Sequence, residues 1–320
     1  MPGKILMIRG GAIGDFILTL PALAALRQNF PQSRLEVLGY PHIAQLALAG
    51  GLVDHVRSID AGPMAGFFAR NGSLDASLQE YFHSFSVIIS YLYDPEEVFQ
   101  ANVARCTKAP FLAGPHRPDE TAGLHATKVF LRPLERLAIF DSDPVPRLRM
   151  KEGSGNENTG RQGEGGIGGS FCPSSASLAL HPGSGSERKN WPETKWAELL
   201  HQLIGATALR LLLVGGEAEG ERLARLAQGL PRSRIQVAKS LPLTELARRL
   251  SECAAFVGHD SGITHLAAAV GLPALVLWGD SAEAIWRPQG RRLNILKDAA
   301  GLLELSVARV FREVIVLVGL

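Results

Sequence analysis

The feature that most constrains the fold is a regular alternation of short apolar runs with longer segments of helical period. The runs are apolar throughout rather than at every second residue, which is typical of strands that helices cover on both faces. Since parallel neighbouring strands need crossover connections, the alternation predicts an α/β chain with parallel sheets. The predicted strands are residues 4–9, 35–40, 53–59, 87–92, 177–181, 210–214, 235–238, 255–258 and 274–278. The predicted helices are residues 16–30, 42–49, 193–204, 217–226, 243–253 and 262–270, with a kink or a later start expected at Pro21.

Two domains are predicted, because 320 residues correspond to about two units of roughly 150 residues. The segment KEGSGNENTGRQGEGGIGGS interrupts the alternation, and a glycine-rich segment with so few apolar residues cannot offset its ordering entropy by burial. The predicted boundaries are 1–150 for an N-terminal Rossmann-like domain, 151–177 for a linker and 178–320 for a C-terminal Rossmann-like domain. A final helix is predicted at the end of the chain and is a candidate to pack back on the N-terminal domain.

The balance of charge excludes one class of partner. Lys and Arg number 33 against 31 Asp and Glu, a net charge of +2, whereas proteins that bind nucleic acid through bulk charge are strongly basic. The cysteines, Cys106, Cys172 and Cys253, are too widely spaced for a disulfide framework or a CxxC metal site. Arg9 and Asp15 interrupt the apolar N-terminus, so we expect a strand, loop and helix there rather than a signal peptide, and a cytoplasmic protein.

The loop after the first predicted strand, RGGAIGD, is the first candidate for chemistry. It nearly matches a dinucleotide-binding fingerprint, but Arg9 stands where the first glycine should be. Asp15 would moreover repel a pyrophosphate at the helix N-terminus. Asp15 is then either an acid that the helix dipole favours, or a general base held at a cleft between the domains. Gly11, Ala12 and Gly14 form the loop around it.

A second candidate loop, HPGSGSERKNWP, follows a strand and precedes a helix. Its glycines allow close backbone approach, Ser184 and Ser186 supply hydroxyl groups, and Lys189 supplies a positive charge, which together suit a diphosphate. The segment lacks the Gly-Lys-Ser/Thr triplet of a P-loop. A solvated turn is the alternative interpretation.

The third candidate loop, GHDSGITH, again lies between a strand and a helix. Ser261 is a suitable N-cap, so the free amides of Gly262 and Ile263 would face an anion beyond the strand end. Asp260 is expected to order the loop or to hold a sugar hydroxyl, and His265 lies in the first helical turn. A metal cluster of His259, Asp260 and His265 fits no common ligand spacing.

Two other patterns carry less weight. Asp141-Ser142-Asp143 resembles a metal-binding DxD pair, but two acids in a polar loop are frequent by chance. Neither glycine–serine loop has the GxSxG spacing of a serine hydrolase.

The three loops in this order resemble glycosyltransferase family 9, the ADP-heptose:lipopolysaccharide heptosyltransferases. The resemblance rests on RGGAIGDFILTLPALAALRQNFP, HPGSGSERKNWPETKWAELL, LLLVGGEAE and GHDSGITHLAAAVGLPALVLWGDS, followed by Trp286-Arg287-Pro288. It implies a GT-B architecture, in which two Rossmann-like domains face a cleft, with the acceptor on the N-terminal side and the nucleotide sugar on the C-terminal side.

The resemblance also implies a role for each candidate residue. Asp15 matches the catalytic base of an inverting transfer, and the acceptor-side loop contains Gly11, Ala12 and Gly14. The donor-binding residues implied by the resemblance are Ser184, Ser186, Lys189, Glu217, Asp260, Ser261, Gly262, Ile263 and His265, with Glu217 placed at the ribose. It further implies ADP-heptose as the donor, a lipopolysaccharide-core-like acceptor, no cofactor, no required metal, a monomer, and peripheral contact with the cytoplasmic face of the inner membrane.

The sequence departs from the family pattern at Gly279-Asp280-Ser281, where relatives often carry Gly-Pro-Thr. The region from 57 to 136, expected to face the acceptor, contains scattered basic residues but no recognisable motif. Two rival functions remain open: a Rossmann-type nucleotide-sugar oxidoreductase, against which the missing first glycine and Asp15 count, and a GT-B protein that binds a nucleotide sugar without turnover.

Overall fold

The computed structural model describes residues 3–150 and 176–320. The predicted linker, 151–177, lies outside the described residues except for its last two positions. The described chain forms two parallel sheets with helices on both faces, as the alternation of apolar runs predicts.

The first sheet has five strands in the order β3-β2-β1-β4-β5. Its strands are β1 (Lys4–Arg9), β2 (Arg34–Gly39), β3 (His55–Ser58), β4 (Val87–Ser90) and β5 (Phe111–Ala113). Its helices are α1 (Ile13–Asn29), α2 (Pro41–Ala49), α3 (Ala76–His83), α4 (Val98–Ala104) and α5 (Ala126–Leu131). Two 3₁₀ helices, Gly62–Phe68 and Arg132–Leu137, complete this half. The four predicted strands are confirmed, whereas β5 and α3 to α5 were not predicted.

The first helix differs from its prediction. It begins at Ile13 rather than at residue 16 and contains Pro21 within its length, so the expectation of a later start is wrong. Nearly every residue from Phe16 to Leu26 is buried. Packing on all sides stabilises the helix against the loss of the hydrogen bond that proline cannot donate.

The second sheet has six strands in the order β11-β10-β9-β6-β7-β8. Its strands are β6 (Ser177–His181), β7 (Arg210–Gly215), β8 (Ile235–Lys239), β9 (Ala255–His259), β10 (Ala274–Leu277) and β11 (Leu293–Leu296). Its helices are α6 (Glu193–Ala206), α7 (Gly220–Ala227), α8 (Leu243–Ser251), α9 (Gly262–Ala269), α10 (Glu283–Trp286) and α11 (Val307–Val318), with 3₁₀ turns at Glu187–Lys189 and Leu302–Glu304. All five strands predicted here are confirmed, and β11 was not predicted.

Each sheet has the Rossmann strand order, in which successive strands are added first on one side of the first strand of the unit and then on its other side, so that the strand order reverses there. In the first sheet that strand is β1, which pairs with both β2 and β4. In the second sheet it is β6, which pairs with both β7 and β9. Ligands of open α/β sheets bind beyond the carboxyl ends of the strands at such a reversal. The three candidate loops follow β1, β6 and β9.

The two halves pack directly on each other. Helix α1 contacts α9, and α2 contacts α8, while the amide of Leu148 donates to the carbonyl oxygen of Ala269 at 2.8 Å. Apolar side chains of both halves belong to one continuous buried cluster. The final helix, α11, packs on α6 and on strands β9 and β10, and its buried valines join the core of the second sheet. The expectation that it packs back on the N-terminal domain is therefore wrong.

Within residues 3–150 and 176–320, no helix combines the length and the apolarity that crossing a membrane requires.

Candidate active site

A cavity of about 480 Å³ lies between the two halves, where the candidate loops of both sheets meet. Its lining consists of Ala12, Gly14, Asp15, Leu18, Arg117, Glu120, Ser184, Lys189, Asp260, Ser261, Gly262, His265, Asp280, Ser281, Ala282 and Trp286. A larger depression, about 570 Å³, runs beside α7 and β8 and contains none of the predicted site residues. The position at both strand-order reversals makes the first cavity the candidate active site.

Two helix N-termini meet at the floor of this cavity. Gly14 in the first turn of α1 contacts Gly262 at the start of α9, so closely that a β-carbon on Gly262 would lie 2.9 Å from the Gly14 nitrogen. Both helix dipoles therefore direct their positive ends into the same space, one from each half.

Asp15 is the carboxylate at the α1 end, and 26% of its side chain is exposed. The Ala12 amide donates to Asp15 Oδ2 at 3.3 Å, and an Arg9 guanidinium nitrogen lies 3.8 Å from Oδ1. Gly11 adopts a φ of +98° immediately before this turn, a conformation that favours glycine. Asp15 is thus fixed in position while its oxygens remain accessible to a ligand.

Arg9 supports Asp15 from beneath. Its side chain is almost fully buried and donates to the carbonyl oxygens of Asp15 at 3.2 Å, Tyr91 at 3.3 Å and His116 at 2.9 Å. The guanidinium also lies 4.6 Å from the ring centre of Phe130. The residue that breaks the dinucleotide fingerprint therefore joins three loops beneath the carboxylate.

The loop after β6 places Lys189 opposite Asp15. Lys189 Nζ donates to Asp260 Oδ2 at 2.7 Å, which ties the loop after β6 to the loop after β9. Ser184 Oγ lies 2.8 Å from the carbonyl oxygen of Ser186 and 2.7 Å from Asn190 Oδ1. Ser184 thus orders the loop, and Ser186 contributes its carbonyl oxygen there instead of lining the cavity.

The N-terminus of α9 is capped as predicted. Ser261 Oγ accepts a hydrogen bond from the Thr264 amide at 3.3 Å and lies 3.3 Å from His181 Nδ1. The amides of the first turn have no partner within the helix itself. Gly262 lines the cavity, whereas Ile263 packs against the buried cluster that both halves share.

Three histidines around this end of the second sheet are buried and uncharged at neutral pH. Burial lowers the pKa of His181 to about 3 and that of His259 to about 4, and it also lowers the pKa of His265. His259 Nε2 accepts from the Trp191 amide at 2.8 Å, so Nδ1 holds the proton and donates to the Gly183 carbonyl oxygen at 3.2 Å. His181 and His259 hold loops in place through these contacts, whereas His265 lines the cavity as a neutral ring.

The outer rim of the cavity is formed by residues that the sequence did not identify as site residues. Trp286 Nε1 donates to Glu120 Oε1 at 2.9 Å, and the Arg117 guanidinium lies 5.6 Å from the Trp286 ring centre. Arg117 and Glu120 follow β5 in the first half, while Trp286 ends α10 in the second, so the contact joins the two halves. The only sequence signals here were the tryptophan in Trp286-Arg287-Pro288 and one of several scattered arginines.

The lining side chains include more acids than bases. The carboxylates are Asp15, Glu120, Asp260 and Asp280, and the cations are Arg117 and Lys189. The total charge of the lining therefore does not favour an anion. An anion would be bound locally, by Lys189 and the amides at the start of α9. Asp280 enters the cavity at the point where the sequence departs from the family pattern.

Some candidate residues lie elsewhere. Glu217 is exposed and does not line the cavity; Glu219 instead turns back and accepts from the Gly216 amide at 2.8 Å. Of the DxD pair, Asp143 forms an ion pair with Arg147, and neither acid lines the cavity. Among residues 3–150 and 176–320, no group of three or more His, Cys, Asp or Glu side chains could hold a metal ion.

Comparison with known proteins identifies relatives with this sequence and fold. The lipopolysaccharide heptosyltransferase 1 of Salmonella typhimurium is 26% identical over 325 residues, which cover 97% of this chain and 99% of the relative. The enzyme of the same description from Pseudomonas aeruginosa is 37% identical over 103 residues, 32% of this chain and 28% of the relative.

Solved structures show the same fold at 18% identity. A glycosyl transferase family 9 structure from Veillonella parvula has a TM-score of 0.78 and covers 99% of this chain and 97% of its own. The E. coli ADP-heptose lps heptosyltransferase II has a TM-score of 0.76 with 98% of each chain covered. An E. coli heptosyltransferase solved with ADP has a TM-score of 0.70 with 98% and 99% covered. These neighbours confirm the predicted GT-B architecture.

Glycosyltransferase family 9 (heptosyltransferase) matches residues 145–304, half of the chain, including the loops after β6 and β9. The Salmonella relative extends the likeness over the Asp15 loop as well. The chain therefore belongs to glycosyltransferase family 9 and is a glycosyltransferase enzyme.

Proposed function

We propose that this chain transfers heptose from ADP-heptose to an acceptor of the lipopolysaccharide inner-core type, with inversion at the anomeric carbon and Asp15 as general base. One observation carries the proposal: Asp15 and the Lys189–α9 anion site face the same cavity from opposite halves. An acceptor hydroxyl beside Asp15 and a diphosphate beside α9 would then lie on opposite sides of the sugar to be transferred.

The chemistry is a single displacement. The acceptor oxygen attacks the anomeric carbon, the bond from that carbon to the diphosphate oxygen breaks, and the acceptor proton passes to Asp15. Developing negative charge on the departing diphosphate is stabilised by Lys189 and by the amides at the start of α9. Since these groups supply the stabilisation, we propose that no added metal is needed.

The contact of Lys189 with Asp260 defines its part in donor binding. Asp260 holds the ammonium group at 2.7 Å without covering it, since 44% of the Lys189 side chain stays exposed. A diphosphate can therefore approach from the cavity side while Asp260 keeps the lysine oriented. The carboxylate oxygen of Asp260 that faces away from Lys189 is a candidate acceptor for a hydroxyl of the donor sugar.

The decisive experiment replaces Asp15 with asparagine, which preserves shape and removes the base. We expect Asp15→Asn to lower kcat by about 10²- to 10⁴-fold while ADP affinity, measured by calorimetry, stays within about threefold of wild type. Asp141→Asn is the matched control, because Asp141 is an exposed acid outside the cavity. Full transfer by Asp15→Asn would exclude this base.

A donor screen tests the substrate and the rival functions together. We expect transfer from ADP-heptose, and not from GDP- or UDP-sugars, in the presence of a chelator. Binding of NAD(P) without binding of ADP would favour the oxidoreductase, and ADP-heptose binding without turnover on any core acceptor would favour a binding protein. We further propose that the enzyme acts as a cytoplasmic monomer that meets its acceptor at the inner membrane face; gel filtration and membrane co-sedimentation test these two points.

A further inference from the structure

Two tyrosine–histidine pairs lie at the carboxyl edge of the first sheet, one on either side of the Asp15 loop. Tyr40 and His42 follow β2, with ring centres 5.9 Å apart. Tyr93 follows β4 and His116 follows β5, with ring centres 4.6 Å apart and planes inclined by 57°. Strand β1, which leads into Asp15, lies between β2 and β4. The catalytic loop is therefore flanked by aromatic rings on the acceptor half.

The Tyr93 ring is exposed, although residues on either side of it are held by hydrogen bonds. With 72% of its surface accessible, it is the most exposed large hydrophobic residue in the described part of the chain. Its neighbours are fixed: the Tyr91 hydroxyl donates to the Phe130 carbonyl oxygen at 2.6 Å, and Asp94 accepts from the amides of Phe99 and Gln100. A ring presented from such a rigid backbone loses little conformational entropy on binding.

The Tyr93–His116 pair is connected to the active site. The His116 carbonyl oxygen accepts from Arg9 at 2.9 Å, and Arg9 in turn lies 3.8 Å from Asp15. Arg117, the next residue after His116, lines the cavity. The exposed pair therefore continues the cavity wall outward on the side that provides the base. Tyr40 is less suited to the same role, because it is half-buried and packs on the core.

We propose that Tyr93 and His116 form an acceptor subsite that stacks on the face of a pyranose ring next to the sugar whose hydroxyl reacts. This inference rests on the proposed function and extends it to a second sugar of the acceptor. The C–H groups on one face of a pyranose are weakly positive and pack on the negative face of an aromatic ring. The polar edges of tyrosine and histidine can meanwhile exchange hydrogen bonds with the sugar hydroxyls.

Steady-state kinetics with a deacylated inner-core oligosaccharide as acceptor test the subsite. Aromatic contacts of this kind contribute modestly, so we expect Tyr93→Ala to raise the acceptor KM about three- to tenfold, with kcat and the donor KM within about twofold. Tyr93→Phe, which retains the ring, should restore most of the acceptor affinity. Phe140→Ala is the matched control, because Phe140 is similarly exposed, at 68%, and follows the 3₁₀ helix Arg132–Leu137 instead of β4 or β5.

Three other results of these measurements would each contradict the proposed subsite. An unchanged acceptor KM in Tyr93→Ala would exclude stacking, and a raised donor KM would assign the ring to the nucleotide sugar instead. Repeating the measurement with the acylated acceptor in detergent separates sugar from lipid, since a loss confined to the acylated acceptor would mean that Tyr93 contacts acyl chains.

Failure of the proposed function can be told apart from failure of the subsite. If the wild-type chain transfers no heptose, the proposed function is wrong whatever Tyr93 does. Binding of the same oligosaccharide is then measured by saturation-transfer NMR: weaker binding by Tyr93→Ala than by wild type supports the subsite, and equal binding overturns it.

Discussion

The buried histidines His181 and His259 contact the loops after β6 and β9 through neutral rings, and this makes stability sensitive to mild acid. Burial lowers the pKa of His181 to about 3 and that of His259 to about 4, whereas an exposed histidine has a pKa near 6.5. Below pH 6.5 these histidines bind protons in the unfolded chain but stay neutral in the folded chain. Stability is therefore complete above pH 6.5 and falls as the pH drops towards 4.

We expect the free energy of unfolding to fall by up to about 1.4 kcal/mol per pH unit for each such histidine between pH 6.5 and 4.5. Carboxylates affect stability only at lower pH. A hydrogen bond from Arg248 lowers the pKa of Glu245 to about 2. The stability that this carboxylate contributes is lost only below about pH 4.5, where glutamate in the unfolded chain begins to bind protons. The window above pH 4.5 thus reports on histidine, and urea unfolding at several pH values measures the slope.

Two variants test whether His181 contributes to this dependence of stability on pH. His181→Gln removes one buried ring and should make the dependence on pH shallower, whatever its effect on stability at pH 7. His201 is exposed, so His201→Gln should keep the wild-type slope. Equal slopes in all three proteins would mean that His181 does not contribute to the dependence on pH.

The site residues that could be predicted from the sequence are those that lie next to regular strands and helices. Asp15, Lys189 and Ser261 could be predicted because each stands in a loop beside a buried strand, where function in α/β folds is concentrated. Glu120 and Trp286 could not, since they come together only through the packing of two short, irregular segments from opposite halves. The resemblance implies a place for Glu217 at the ribose, but Glu217 does not line the cavity, and it is Glu219 that accepts from the Gly216 amide.

Among the elements, the contact between α1 and α9 sets the geometry of the site. A β-carbon on Gly262 would lie 2.8 Å from Ile13 Cβ and 2.9 Å from the Gly14 nitrogen, too close without movement of backbone. A β-carbon on Gly14 would meet its nearest neighbour, His265, at 3.5 Å, an ordinary contact. Only one of the two glycines is therefore required by the approach of the helices.

We expect Gly262→Ala to lower the free energy of unfolding by about 1–3 kcal/mol, because overpacking forces the helices apart. Gly14→Ala should change it by less than about 1 kcal/mol. Both glycines lie in the first turn of a helix, so the higher helix propensity of alanine affects both variants similarly and largely cancels when they are compared. Urea unfolding provides the comparison, and equal effects would show that the helix contact is not limiting.

Prediction of the strands succeeded where an apolar run was bounded by polar residues or glycines. The strands β1 and β6 match their predicted bounds residue for residue. The three-residue strand β5 and the short helices α3 to α5 were not predicted, because their few residues show no clear hydrophobic periodicity. His116, Arg117 and Glu120 follow the unpredicted strand β5, so the side of the site that the first half forms was the least visible in the sequence.

Taken as a whole, the molecule is two Rossmann units whose strand-order reversals face one cavity. The halves are held together on the floor of the cavity by α1 and α9, and at its rim by the Trp286–Glu120 hydrogen bond. Both rim side chains of the first half are largely exposed, with Arg117 at 62% and Glu120 at 53%. The rim contact is therefore weak compared with the buried floor, and it is the part of the interface that a ligand can alter.

Trp286 should report this change. Trp191, Trp196 and Trp278 are at most 1% exposed, whereas Trp286 is half-buried and lines the cavity. On the proposed function, ADP entering the cavity would alter the surroundings of the Trp286 ring, while the other three tryptophans stay buried. We expect ADP to change the tryptophan fluorescence of the wild type, and Trp286→Phe to lose most of that change while calorimetry still detects ADP binding. Trp196→Phe, the matched control at a buried ring, should keep the response; a full response from Trp286→Phe would mean that ADP acts on the core rather than on the rim between the halves.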